Sequence, residues 1–198
     1  MPKIKIDELL IEIHKSTDLK NLAKEWGRNH SLALKLWETR DPRARLMATQ
    51  VEEPPKVKED QLDSWMKDAD FWDLADAVSE LISRTPFAFR KMQEYIDTRS
   101  EYIKRCGYLL LGTIAKNGIG LESSVFENYL ERIQKRFSLE VPRVREVMAD
   151  AFIAIGSRNI ELNEKALRIA GKLDLGQLSE DLNFTEKLST QRLQTRLR

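Results

Sequence analysis

One cysteine, eight glycines and six prolines among 198 residues exclude several kinds of protein at once. A lone thiol, Cys106, forms no internal disulfide, so the fold does not rely on an oxidising compartment. So few glycines and prolines leave a β-sandwich or barrel of this length short of turn residues. No run approaches the ~18 apolar residues of a membrane-spanning helix. The longest, Cys106 to Ala115, reads as a buried helix. The opening MPKIKIDELL lacks the apolar stretch of a secretory signal. The two histidines, His14 and His30, stand on early helices without a neighbouring acidic or cysteine cluster. A transition-metal site is therefore not expected. The patterns GxGxxG, Walker A, HExxH, CxxC and GxSxG are all missing. The expectation is a cytoplasmic protein.

What remains is abundant helix-forming material. Apolar residues make up 41% and charged residues 33%, enough for a core beneath a heavily charged surface. Net charge is +1, but its distribution is uneven. Residues 1–80 hold 13 Lys/Arg against 17 Asp/Glu, and residues 81–198 hold 20 against 15. Solvated helix faces explain such an asymmetry as readily as a binding surface does.

About ten helices of ordinary length are expected. The first spans Asp7 to Ser16, with Ile6, Leu9, Leu10 and Ile13 on one face. Asp18 caps a second that ends at Gly27, and Ser31 caps a third. Asp41-Pro42, Thr85-Pro86 and Pro142 open later ones, because proline suits the first helical position. A short helix surrounds Gln61 to Lys67. Asp70 to Ser83 follows, with Phe71, Leu74, Val78, Leu81 and Ile82 as one apolar stripe. Ser100 caps a helix ending near Asn117-Gly118, Val125 to Phe137 is amphipathic, and Asn163 caps the last helix to Gly171. Helix pairs recur at roughly 30–45 residues, the period of helical solenoids. The fold is thus expected to be all-α, an α-solenoid of HEAT-like helix pairs forming one domain over residues 1–175. The polar stretch 176–198 lacks an apolar stripe and reads as a loosely packed or disordered tail.

Two segments stand out. From Trp65 to Asp76 the chain places two tryptophans and four aspartates in WMKDADFWDLAD. Trp72 and Asp76 are four apart and share a helix face. One reading buries Trp72 in the core, with Asp68 or Asp70 as a cap. The other turns ring and carboxylate together into a cleft, where both stabilise a cation. The second segment is Lys104-Arg105, embedded in the apolar helix EYIKRCGYLLLGTIA. Adjacent residues point about 100° apart, so at least one of the pair lies near the buried stripe. Internal pairing and phosphate contact are both open.

These residues carry a resemblance. The stretches LALKLWETRDPRARLMAT, VKEDQLDSWMKDADFWDLADAV, TPFAF, EYIKRCGYLLLGTIA and AIGSRNIELNEKAL together resemble the AlkD-like DNA alkylation repair glycosylases over about three-quarters of the chain. The resemblance implies a HEAT-like solenoid whose concave basic groove holds duplex DNA. It implies excision of cationic N3- and N7-alkylated purines by hydrolysis of the N-glycosidic bond, without metal or cofactor. On that basis Asp76 falls on the family's catalytic aspartate. Trp72 falls on a tryptophan that packs against DNA at the lesion, and Arg105 on an arginine that contacts the backbone. Lys104, Arg136, Arg143, Arg145 and Arg158 are the further candidates for phosphate contact in the basic half, and a monomer is expected.

Two departures accompany the resemblance. The family carries a second DNA-facing tryptophan on the helix before the turn Ile155-Gly156-Ser157-Arg158-Asn159; here Asp150 stands there, and no tryptophan follows Trp72. The first repeat is also expected to be short. Three functions follow: an alkylpurine glycosylase, a non-excising DNA-structure binder, and a protein-interaction scaffold. A scaffold requires a buried Trp72 and no row of cations. A DNA binder requires such a row. A glycosylase further requires Asp76 open to solvent beside Trp72.

Overall fold

The computed structural model describes residues 6–117 and 121–170. Among the described residues there are eleven α-helices and no strand, as the scarcity of turn residues and the 3.6-residue apolar spacing anticipate. None of these helices is long and apolar enough to cross a membrane. The expected polar tail, its boundary at 175/176 and the turn at Gly118 lie outside the described residues. Internal contacts gather into two compact units, Met1–Phe87 and Ala88–Arg198.

The first unit contains α1 (Ile6–Lys15), α2 (Leu19–Trp26), α3 (His30–Glu38), α4 (Pro42–Val51), α5 (Glu59–Asp68) and α6 (Trp72–Ser83). Its helix starts follow side-chain chemistry. The Asp18 carboxylate accepts from the N–H groups of Lys20 and Asn21, and Asp41 accepts from Ala44 with Pro42 in the first turn. Ser31 is not the cap expected of it. The helix begins at His30, and the Asn29 side chain accepts from the Leu32 N–H at 3.0 Å. Gly27 ends α2 with φ 70, a left-handed conformation that favours glycine, and its N–H returns to Ala23 O.

Helix α4 lies at the centre of this unit and packs against α1, α2, α3 and α6. Its small and unbranched buried residues, Ala44, Met47 and Ala48, let those neighbours approach. Helix α5 backs onto α6 and α3 onto α4, so two consecutive helix pairs share one core. Between the pairs, Trp37 of α3 and Trp65 of α5 stack with ring centres 4.1 Å apart. Both rings are buried.

The second unit contains α7 (Ala88–Ile96), α8 (Glu101–Asn117), α9 (Ser123–Arg136), α10 (Pro142–Gly156) and α11 (Ile160–Ala170). Helix α8 packs along both α7 and α10, and α10 also meets α9 and α11. The α7–α8 contact is close enough to require glycine. A Cβ on Gly107 would sit 2.6 Å from the Ile96 backbone nitrogen. Gly107→Ala should therefore overpack the unit and lower stability by about 1–3 kcal/mol. A urea or thermal melt with the parental midpoint would show that α7 yields without cost.

Asn163 is likewise not the cap expected from the sequence. Asn159 takes that role, its Oδ1 accepting from the Leu162 N–H at 2.9 Å. Asn163 lies inside α11, buried, and donates to Gly156 O at 2.9 Å. An asparagine four residues into a helix is tolerated here because it satisfies a carbonyl at the end of α10.

Candidate nucleic-acid interface

The apolar positions of α6 decide which way its acidic residues face. Leu74, Ala75, Val78, Leu81 and Ile82 are buried against the core. The opposite side of the helix therefore carries Asp73, Asp76, Ala77 and Glu80 outward. Together with Leu19 and Lys20 of α2 and Leu46 and Gln50 of α4, these four line a cavity of about 320 Å³. Asp76 is half-exposed there. Trp72, one turn earlier on the same helix, is also half-exposed and is not part of the core.

The two tryptophans of the segment thus part company. Trp65 is structural. Trp72 opens α6 toward solvent. Neither Asp68 nor Asp70 caps α6, whose N-cap residue is Phe71. Asp68 instead accepts from Trp37 Nε1 at 3.2 Å and from Arg45 Nη2 at 3.5 Å. This fastens α5 to α3 and explains an aspartate at the end of α5.

A second cavity, of about 440 Å³, adjoins the first and shares Lys20, Gln50 and Glu80 with it. Its other lining residues are Ala23, Lys24, Gly27, Arg28 and Arg84. Four cations therefore face one carboxylate. Desolvation first, and the charge of Arg28 second, hold the Arg84 guanidinium below its ordinary pKa, while Glu80 works the other way. Arg84 keeps part of its surface open to solvent, and like charge from Arg28 adds to the desolvation. Net charge conceals these cations, because residues 1–80 are acidic in sum. The signal was nevertheless present: Lys20, Lys24 and Arg28 recur every four residues.

The basic candidates of the second unit are placed differently. Lys104 and Arg105 are 9% and 6% exposed. Lys104 Nζ lies 2.7 Å from Glu140 Oε2. Arg105 donates to the Arg143 carbonyl and, at 3.2 Å, to Glu146 Oε2. Internal pairing is thus the arrangement both side chains adopt, tying α8 to the start of α10. Contact with a phosphate by either would require giving up such a pair.

Arg158 donates to Ala115 O at 2.6 Å, near the end of α8, and its guanidinium stacks 4.2 Å above the Phe126 ring. Arg136 is exposed and pairs with Glu140 at 3.5 Å. Arg143 is exposed, with Glu146 at a distant 3.9 Å. Arg145 is half-exposed on α10; among the described residues it makes no ion pair, and its buried Nε has no hydrogen-bond partner. Asp150 is half-exposed on α10. Asp76 and Trp72 thus belong to the first unit, and Lys104, Arg105, Arg143, Arg145 and Arg158 to the second. Among the described residues no three histidine, cysteine, aspartate or glutamate side chains gather as metal ligands.

Stacked helix pairs with a cation-lined cavity define a HEAT-like helical-repeat protein. A solved structure confirms the fold. It is described as a new family of proteins related to the HEAT-like repeat DNA glycosylases with affinity for branched DNA structures. It matches with a TM-score of 0.74 and 23% identity, over 90% of this chain and 80% of its own. Among curated proteins, none matches. The family is nonetheless settled: the DNA alkylation repair enzyme family matches residues 14–179, and the chain belongs to it.

Proposed function

We propose that this protein is a DNA glycosylase that releases cationic N3- and N7-alkylated purines from duplex DNA. The observation that carries the reading is the position of Asp76. It is half-exposed in a cavity on the outer face of α6, one turn from half-exposed Trp72 and beside a row of cations. A scaffold would have no use for that combination.

The chemistry needs little. An alkylated purine already carries positive charge. When the bond from C1′ to the base nitrogen breaks, its electron pair neutralises the base, so no acid need protonate the leaving group. Positive charge develops on the sugar. The Asp76 carboxylate stabilises it directly, and the Trp72 ring does so through its quadrupole. Water then forms the new bond to C1′ and gives its proton to Asp76 or to solvent. Arg143 and Arg145 of the second unit supply further phosphate contacts. The single thiol, Cys106, is buried, which suits a reducing compartment. We place the activity inside the cell, with the protein acting as a monomer on DNA.

Trp72→Ala should weaken duplex binding and slow excision together, each by about tenfold, because the ring serves both. Anisotropy titration and single-turnover excision, run in parallel, check this. A rate loss with unchanged affinity would confine the ring to catalysis.

A second reading rests on Asp150, which stands where the glycosylases resembled here carry a second aromatic wall. If that loss abolishes excision, the protein is a binder of DNA structure, and the structural neighbour is described as having affinity for branched DNA structures. The deciding experiment incubates the protein with a duplex carrying one 7-methylguanine and with a four-way junction. Alkali-labile abasic sites support the glycosylase. Tight junction binding with intact methylated DNA supports the binder.

A further inference from the structure

We propose that Lys20, Lys24, Arg28 and Arg84 form a seat for the phosphates of one DNA strand, adjoining the Asp76 cavity. The inference deepens the DNA-binding reading and rests on it.

Local structure assembles the seat from three helices. Lys20 and Lys24 are one turn apart on α2 and share a face. Gly27, with φ 70, ends that helix and turns the chain so that Arg28 lines the same cavity. Arg84 is the C-cap residue of α6 and enters from the other side. Gln50, near the end of α4, adds a neutral amide between them.

Among the described residues Glu80 is the one carboxylate lining this cavity, against four cations. Arg28 Nη1 donates to the Glu52 carbonyl at 2.7 Å, and Arg84 Nη2 reaches the Thr49 carbonyl at 3.5 Å. Lys24 Nζ donates to the Asn21 amide oxygen at 3.4 Å. Those partners are dipoles rather than counter-charges. Four cations in one cavity, one of them with its pKa lowered partly by another, create a standing demand for an anion.

The neighbouring acids say what kind. Asp73, Asp76 and Glu80 present three carboxylates to the adjoining cavity. A polyanion placed over Asp76 would be repelled unless cations beside it offset that charge. Asp76 and Arg84 are eight residues apart on α6, about 12 Å along the axis. That is three to four base steps at ~3.4 Å of rise, so a strand held at Arg84 reaches Asp76 with a nucleotide sugar. A small free anion would fill one corner of the second cavity and would leave the acidic face unaddressed.

The test is Lys20→Gln/Lys24→Gln, since both side chains are exposed and neither makes an ion pair among the described residues. Duplex affinity is measured by anisotropy across a salt series, with inorganic phosphate and a mononucleotide as separate competitors. The double variant should bind at least tenfold more weakly at physiological salt. Its slope of log affinity against log salt should fall by about two, since each lost phosphate contact removes ~0.9. Arg84→Gln should act in the same direction by about one. The control Lys58→Gln/Lys67→Gln removes equal charge away from both cavities and should keep the parental slope. Competition by millimolar mononucleotide or phosphate as effective as by the strand would overturn the strand assignment in favour of a small-anion site. Parental slopes in both cavity variants, or an equal fall in the control, would overturn the seat while leaving DNA binding intact. A parent protein that binds no DNA would overturn the DNA reading and the seat together.

Discussion

Asp76→Asn should slow single-turnover release of 7-methylguanine about a hundredfold and leave duplex affinity close to the parent's. The substitution keeps the size and the hydrogen-bonding atoms and removes only the charge. A full negative charge aimed at a developing cation is typically worth ~3 kcal/mol in the transition state, which is the stated factor. The ground state gains nothing comparable. Asp76 faces a polyanion, so losing its charge should if anything favour binding slightly. Folding should be unaffected, because the core side of α6 is Leu74, Ala75, Val78, Leu81 and Ile82 and does not include Asp76. Equal rates for parent and variant would remove Asp76 from the chemistry. A parallel loss of affinity and rate would make it a binding residue.

The second large effect concerns stability. Arg105→Ala should lower it by about 3–5 kcal/mol, because removing one partner leaves a charge and a carbonyl unanswered in a buried contact. For a chain of this length that is roughly 10 °C of melting temperature. Arg105 is 6% exposed and joins α8 to both Arg143 O and Glu146. Its neighbour in the same contact makes the internal control. Arg143 is exposed and lies 3.9 Å from Glu146, so Arg143→Ala should change the melting temperature by no more than a degree or two. An Arg105→Ala protein that melts like the parent, yet loses affinity for duplex DNA, would return Arg105 to the DNA-facing set that the family resemblance suggests.

The contrast between these residues shows what a sequence can and cannot disclose. The helices were legible because their evidence is local. Asp18, Asp41-Pro42 and Pro142 stand within three residues of the backbone groups they serve, and all three begin helices as expected. Thr85-Pro86 does not open a helix, since α7 begins at Ala88, and two other expected caps yield to a second capping residue within one turn. Asn29 displaces Ser31, and Asn159 displaces Asn163, since either member of each pair fits the local pattern.

The surroundings of Lys104 and Arg105 were not legible at all. Their partners Glu140 and Glu146 lie 36 and 41 residues away, and only the packing of α8 on α10 brings them together. The cations of the first unit were hidden by arithmetic instead. A segment acidic in total still presents Lys20, Lys24, Arg28 and Arg84 to one cavity, with Glu80 as the one carboxylate among its lining residues. The outward turn of Trp72 could be drawn only by comparison with Trp65. A stripe of apolar spacing does not say which of two nearby rings the core accepts, and here Trp37 selects Trp65 by stacking.

Free base is the product that only the central claim requires. The most direct measurement is the release of 7-methylguanine from a methylated duplex, with protein in excess over DNA and the base identified by mass. The expected result is one equivalent of free base per lesion, accumulating exponentially and leaving an abasic site, with metal chelators making no difference. Methylated DNA that stays bound and intact through the same time course would contradict the account.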